Sequence, residues 1–150
     1  MQNLPHHYRV SASAEAESTV QLASKGLPII RSSAPAEFGG PGDKWSPETL
    51  LVAAVADCFI LTFKAIARAS KFSWISVNCS VEGKLDKVDR LNQFTRFDVT
   101  ASLTMPSDMN EEKAMRLLEK AEQACLITNS LTADTQLTAN VQVMNEEIAS

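Results

Sequence analysis

Hydrophobic and polar positions alternate with a period of two in three stretches of the chain. Ile75, Val77, Cys79, Val81 and Leu85 alternate with Ser76, Asn78, Ser80, Glu82 and Lys84. Phe97, Val99, Ala101, Leu103 and Met105 repeat the pattern, and Leu137, Ala139, Val141 and Val143 do so again near the end. Side chains along a strand point to opposite faces in turn, so this alternation predicts half-buried strands of the kind common in antiparallel sheets. Two shorter strands are expected at residues 8–14 and 18–23, with a turn at Lys25-Gly26 and a third strand over Leu27 to Arg31. From about Met109 to Ala124 the period changes to that of a helix. Ala114, Leu117, Leu118, Ala121, Ala124 and Cys125 fall on one face there.

The segment Ser32 to Trp45 holds Pro35, Gly39, Gly40, Pro41 and Gly42, which reads as a sharply bending loop. Ser46-Pro47-Glu48 then supplies a helix start: a capping hydroxyl, a proline in the first turn and an acid at the positive dipole end. The helix is predicted from Pro47 to about Ala69. Leu50 to Ala56, with Phe59, Ile60 and Leu61, leave almost no polar face in its first half. A helix apolar all round must be buried all round, and one small sheet covers only one side. A homodimer is therefore expected, with the partner covering the other side. The element order predicts an α+β fold, antiparallel sheets around a long central helix. Its length suits a single domain over residues 1–150.

Composition narrows the function classes. Fourteen basic and eighteen acidic residues are interleaved, leaving a net charge of −4 and no basic stripe for nucleic acid. The apolar run from Leu50 to Phe63 is interrupted by Asp57 and is too short to span a bilayer, and the N-terminus lacks the pattern of a signal peptide. A soluble, cytoplasmic protein is expected. Three cysteines, none in a C-x-x-C pair, argue against a structural zinc site and for free or catalytic thiols.

Cys58 lies in the middle of the apolar helix, and Cys125 near the end of the second, amphipathic one. Such a pair is what a two-thiol redox site requires. Each also reads as a small buried hydrophobe, and Cys79, on the inward side of a strand, is expected to be structural. Reactivity at Cys58 needs a nearby cation, because the thiolate is the nucleophile, and that charge must come from elsewhere in the fold. Its own helix dipole gives little help, because Cys58 is about 18 Å from the cap. Glu48 is about 15 Å from Cys58 along the same helix. It serves that thiol only across a dimer interface, and is otherwise a plain first-turn acid. Asp57 interrupts the apolar run, and a salt bridge within the dimer is its expected role. His6 and His7 are not expected to be ligands.

The segment A-P-A-E-F-G-G-P-G-D-K-W-S-P-E-T-L-L-V-A-A-V-A-D-C-F (34–59) resembles the loop and central helix of the OsmC/Ohr family, the osmotically inducible and organic hydroperoxide resistance proteins. A-E-Q-A-C-L-I-T-N-S-L (121–131) is similar to that family's second cysteine region. The resemblance implies an OsmC-like fold and an intertwined homodimer with two active sites at the interface. It also implies a thiol peroxidase needing no cofactor or metal. The cysteine matching Cys58 reduces an organic hydroperoxide, its sulfenic acid condenses with the thiol matching Cys125, and a dithiol reductant such as a lipoyl protein or a thioredoxin-like protein restores both. Glu48 matches the family's active-site acid. The chain departs from the pattern in two places. Ala14 to Thr19 reads A-E-A-E-S-T, without the activating hairpin arginine, for which Arg31 or Arg9 stands as the replacement. Leu126 stands where the family often has proline. The alternative expectation is a non-enzymatic dimer of the same fold that binds an apolar small molecule at the subunit interface, with Cys58 as pocket lining.

Overall fold

The computed structural model describes residues 2–144, and the chain divides into two compact units, Met1–Leu51 and Val52–Ser150.

In the first unit, strands β1 (Ser11–Ser13), β2 (Val20–Ala23) and β3 (Ile30–Ser32) form an antiparallel sheet in that order. The strands are shorter and β3 starts later than the alternation suggests. Leu27 is taken into the turn, its N–H bonded to the Ser24 carbonyl at 3.0 Å. The loop after β3 turns through a short 3-10 helix, Ala36–Phe38. A Cβ on Gly40 would stand 1.7 Å from the Ala34 carbonyl oxygen, so the backbone folds back there only because the residue has no side chain. The Ser33 N–H then bonds the Trp45 carbonyl at 2.9 Å, which ties the end of the loop to β3.

Helix α1 (Pro47–Ala69) starts on a reciprocal cap. The Thr49 N–H donates to Ser46 Oγ at 3.1 Å while the Ser46 N–H donates to Thr49 Oγ1 at 2.9 Å, satisfying two donors the first turn would otherwise leave unpaired.

In the second unit, β4 (Ser76–Val88) and β5 (Leu91–Pro106) form a long antiparallel hairpin, with Asp89 and Arg90 both at positive φ in its tight turn. Helix α2 (Glu111–Gln123) follows, capped by Asn110 accepting from the Lys113 N–H at 3.0 Å, then the short α3 (Leu126–Asn129) and β6 (Asp134–Met144). The α+β class stands, but β6 runs parallel to β5, so this sheet is mixed. The alternation reports which face is wet, not strand direction. The α2 crossover returns the chain to the starting end of the sheet, and a strand that follows such a crossover runs parallel to the one before it. The buried face carries Phe97, Val99, Ala101, Leu103 and Met105 from β5 and Ala114, Leu117, Leu118 and Ala121 from α2.

Helix α1 is covered on one side only within the single chain. In the single chain only Val55, Phe59, Phe63 and Ala67, four residues apart, form a buried stripe, while Leu61 is 57% exposed. Asp57 is exposed, and no ion pair involves it among the described residues. It projects away from the stripe that is buried within the single chain. The helix also continues past Phe63 to Ala69. It is thereby long and apolar enough to cross a membrane, which the shorter run did not suggest. Its stripe is nevertheless core: Val52 touches β4 at Gly83, and the Phe63 and Trp74 rings meet edge to face at 5.6 Å.

Candidate active site around Cys58 and Cys125

Cys58 lies midway along α1 and is half-buried, at the flank of the helix's buried stripe. One turn further on, the Thr62 hydroxyl lies 3.8 Å from the Cys58 sulfur. Cys125 is buried at the N-cap position of α3, between the two helices that follow β5. The fold brings the two thiols close enough for each to act on the other's ionisation, and all three cysteines are free.

The surroundings of the pair distinguish one sulfur from the other. Burial pushes the Cys58 thiol up, yet hydrogen bonding from the Ile127 backbone, the Cys125 thiol, the Thr62 hydroxyl and the Leu126 backbone outweighs it, and the net direction is down. Each of these groups donates to sulfur, and donors favour the charged form. Burial also pushes Cys125 up. The Thr128 N–H and hydroxyl oppose this, but the neighbouring Cys58 adds to it, and the net direction is up. Of the two, Cys58 is the thiol that ionises more readily and Cys125 the one that keeps its proton longer. A thiolate beside a protonated thiol is the starting state for nucleophilic attack followed by disulfide formation.

The local sequence explains how the donors arrive. Chain direction changes at Ala124, whose N–H bonds the Lys120 carbonyl at 2.9 Å, and Cys125 adopts an extended conformation before α3 begins. The first amides of α3 have no partner within so short a helix, so Leu126 and Ile127 can turn theirs to the Cys58 sulfur. Leu126 occupies the position where proline is common in the resembling family, and a proline there would have no N–H to give. The sequence reading missed these amides and Thr62. Thr62 was accessible as the residue four positions beyond Cys58 on the same helix face, whereas the amides depend on a four-residue helix with no periodicity to reveal it.

Cys79, taken as structural, lies on the inward face of β4 opposite Ala101. Burial, and then the charge of Cys125, push its thiol up to about 11.

The other two candidates belong to the first unit. Glu48 is in the first turn of α1, and its Oε2 is buried with no hydrogen-bond partner among the described residues. Arg31, on β3, lines an open cleft of about 600 Å³ with Gly42, Asp43, Lys44, Trp45 and Thr49. Arg9 lies on a second cleft, of about 540 Å³, beside Lys25. Among the described residues no three His, Cys, Asp or Glu side chains are grouped so as to hold a metal ion.

Comparison with known proteins places this geometry. Residues 40–140 match the family model described as OsmC-like protein. The uncharacterized protein YmaD of Bacillus subtilis is 25% identical over 147 residues, covering 94% of this chain and 98% of that protein. An OsmC-like protein of unknown function from Vibrio cholerae superposes with a TM-score of 0.83 at 18% identity, over 91% of this chain and 100% of that one. An organic hydroperoxide resistance protein OsmC from Legionella pneumophila superposes with a TM-score of 0.73 at 23% identity, over 94% and 100%. At these identities the two structures bear on the fold.

Proposed function

The chain belongs to the OsmC-like protein family, and from that premise we propose that it is a cytoplasmic thiol peroxidase that reduces organic hydroperoxides. The observation that carries this reading is the unlike pair: a Cys58 thiol pushed down by four hydrogen-bonding groups, Cys125 among them, beside a Cys125 thiol pushed up. The Cys58 thiolate attacks the terminal oxygen of the hydroperoxide. The O–O bond breaks, the alkoxide leaves and takes a proton from solvent, and Cys58 becomes a sulfenic acid. Cys125 then attacks that sulfur, water departs, and a disulfide joins the two. A dithiol, lipoyl-bearing or thioredoxin-like, reduces it by exchange.

Glu48 is the proposed orienting acid and Arg31 the proposed electrostatic activator, within a homodimer whose partner covers the outer face of α1. Two features support the dimer. The Glu48 Oε2 is buried and unpaired among the described residues, and a buried carboxylate oxygen normally has a donor. Leu61 is exposed and Leu51 to Ala54 only half-buried in the single chain, so the apolar first half of α1 is incompletely covered. The apolar lining favours alkyl hydroperoxides over hydrogen peroxide.

A second reading, a non-enzymatic dimer that binds an apolar small molecule, draws on the absence of any arginine or lysine among the groups acting on Cys58. One experiment separates the two. Purified protein with a dithiol should consume cumene hydroperoxide, and Cys58→Ser should abolish this. Wild-type protein inert with reduced lipoyl protein, thioredoxin and dithiothreitol alike would overturn the peroxidase and leave the binder.

A further inference from the structure

Helix α2 carries its charges on two separate flanks. Its buried side holds Ala114, Leu117, Leu118 and Ala121. Successive helical residues turn by about 100°, so Lys113, Arg116 and Lys120 fall within about 60° of one another on one edge of that side. Glu111, Glu112, Glu119 and Glu122 lie toward the other edge, within about 100°. The acidic flank turns to β6, where Glu119 and Glu122 line a small hollow with Leu137 and Ala139. The basic flank turns to the end of α1. There Lys113 Nζ donates to the Ser70 carbonyl at 3.3 Å, and the exposed Lys71 follows at once. Arg116 and Lys120 are also exposed, and among the described residues none of these four cations is in an ion pair.

The basic row leads to the thiols. Residues three and four apart are neighbours on a helix surface, so Lys113, Arg116 and Lys120 form a continuous row about 10 Å long. At its end the Ala124 N–H bonds the Lys120 carbonyl at 2.9 Å and the Cys125 N–H bonds the Glu122 carbonyl at 3.3 Å. Lys120 therefore stands just over one turn before Cys125. Leu126, next to Cys125, is 65% exposed. Unpaired cations that end at a bare leucine combine a charge that steers and orients a partner with an apolar contact that holds it. A broad polyanion such as nucleic acid or an anionic bilayer would meet both flanks of α2 and be repelled by its four acids. A compact protein with a local acidic patch meets the basic flank alone.

We propose that Lys71, Lys113, Arg116, Lys120 and Leu126 form the docking surface for an acidic protein that carries the reducing dithiol. The inference rests on the peroxidase reading, which supplies the Cys58–Cys125 disulfide. One carrier thiolate attacks that disulfide, the second carrier thiolate breaks the mixed disulfide, and the carrier departs with a disulfide of its own. The two electrons and two protons it gives up restore the Cys58 and Cys125 thiols, and nothing else is consumed. A small uncharged dithiol makes no use of the basic row.

Peroxidase turnover of the full-length protein is measured with a reduced acidic lipoyl domain, with reduced acidic thioredoxin and with dithiothreitol. The double variant Arg116→Glu/Lys120→Glu alters two exposed side chains. Its KM for the protein reductant that supports turnover should rise about tenfold, while kcat and the KM for cumene hydroperoxide with dithiothreitol stay unchanged. Salt at about 0.3 M should raise the wild-type KM for that carrier in the same way, and Glu119→Lys on the other flank should not raise it. Equal KM values in wild type and double variant, or an equal loss with dithiothreitol, overturn the docking surface and leave the peroxidase standing. If no reductant supports turnover, the peroxidase reading fails and binding tests the surface by itself. Fluorescence titration of the two oxidised carriers should then show binding to wild type that the double variant loses. Binding to neither carrier, equal binding by both proteins, or a loss seen only with phosphatidylglycerol vesicles overturns the proposal.

Discussion

The Cys58 sulfur and the Thr62 hydroxyl oxygen lie 3.8 Å apart, one helical turn from each other on α1. When Cys58 is a thiolate the hydroxyl must be the donor, and this side-chain donor comes from the same helix as the thiol. Thr62→Val keeps the shape and removes the donor. Alkylation of Cys58 by iodoacetamide at pH 7 should slow by about threefold, with the midpoint of its pH profile moving up. In the wild type that midpoint should lie below those of Cys125 and Cys79. An unchanged profile in Thr62→Val would mean that the backbone donors act without it.

Cys79 gives the fold a weakness to alkali. Its folded-state value is raised, to about 11, above that of the unfolded thiol. Between those values the native state holds a proton that the unfolded state has lost, so stability falls as pH rises through the window and is unaffected below it. Urea midpoints of the wild type should fall from about pH 8.5 toward the folded-state value. Cys79→Ala should flatten that decline. Parallel curves for the two proteins would count against the burial of this thiol.

Gly83 lies close beneath α1. A methyl group there would meet Val52 Cγ2 at 2.9 Å, Phe94 Cε1 at 3.0 Å and Phe97 Cε1 at 3.1 Å. Gly83→Ala should cost about 1–3 kcal/mol, as overpacking does elsewhere. Adding Val52→Ala should restore part of the loss if the helix contact is the cause. Denaturant titration of the two single variants and the double variant reads the coupling directly.

The dimer makes a distinguishing prediction at Leu61. Val55 is 1% exposed within a single chain, so a charge there would be damaging in any assembly state. Leu61 is 57% exposed in the single chain, and Leu61→Lys should be nearly neutral in a monomer. In the proposed dimer it should cost about 3 kcal/mol or more and shift the sedimentation profile toward monomer. Wild-type unfolding midpoints should rise with protein concentration, and a well-folded monomer at micromolar concentration would refute this assembly.

Much of the architecture was legible because local rules act on few residues at a time. The cap at Ser46, the course of α1 to Ala69 and the inward rows of β4, β5 and β6 follow from side-chain period and capping chemistry, which the sequence carries directly. The family, too, could be read from residues 34–59 and 121–131. Strand direction could not. Alternation is the same in parallel and antiparallel pairs, so the parallel course of β6 beside β5 depended on the crossover through α2. Burial of α1 likewise depended on what it packs against: only a stripe is covered within one chain, and Asp57 is exposed. The chemistry of Cys58 was the least visible in sequence. Among the groups that lower its thiol are the Ile127 and Leu126 backbone, far along the chain, and amides exist at nearly every residue. Sequence named the thiols; only the tertiary fold could decide which backbone groups face them, because hydrogen bonds depend on distance and direction, not on residue type.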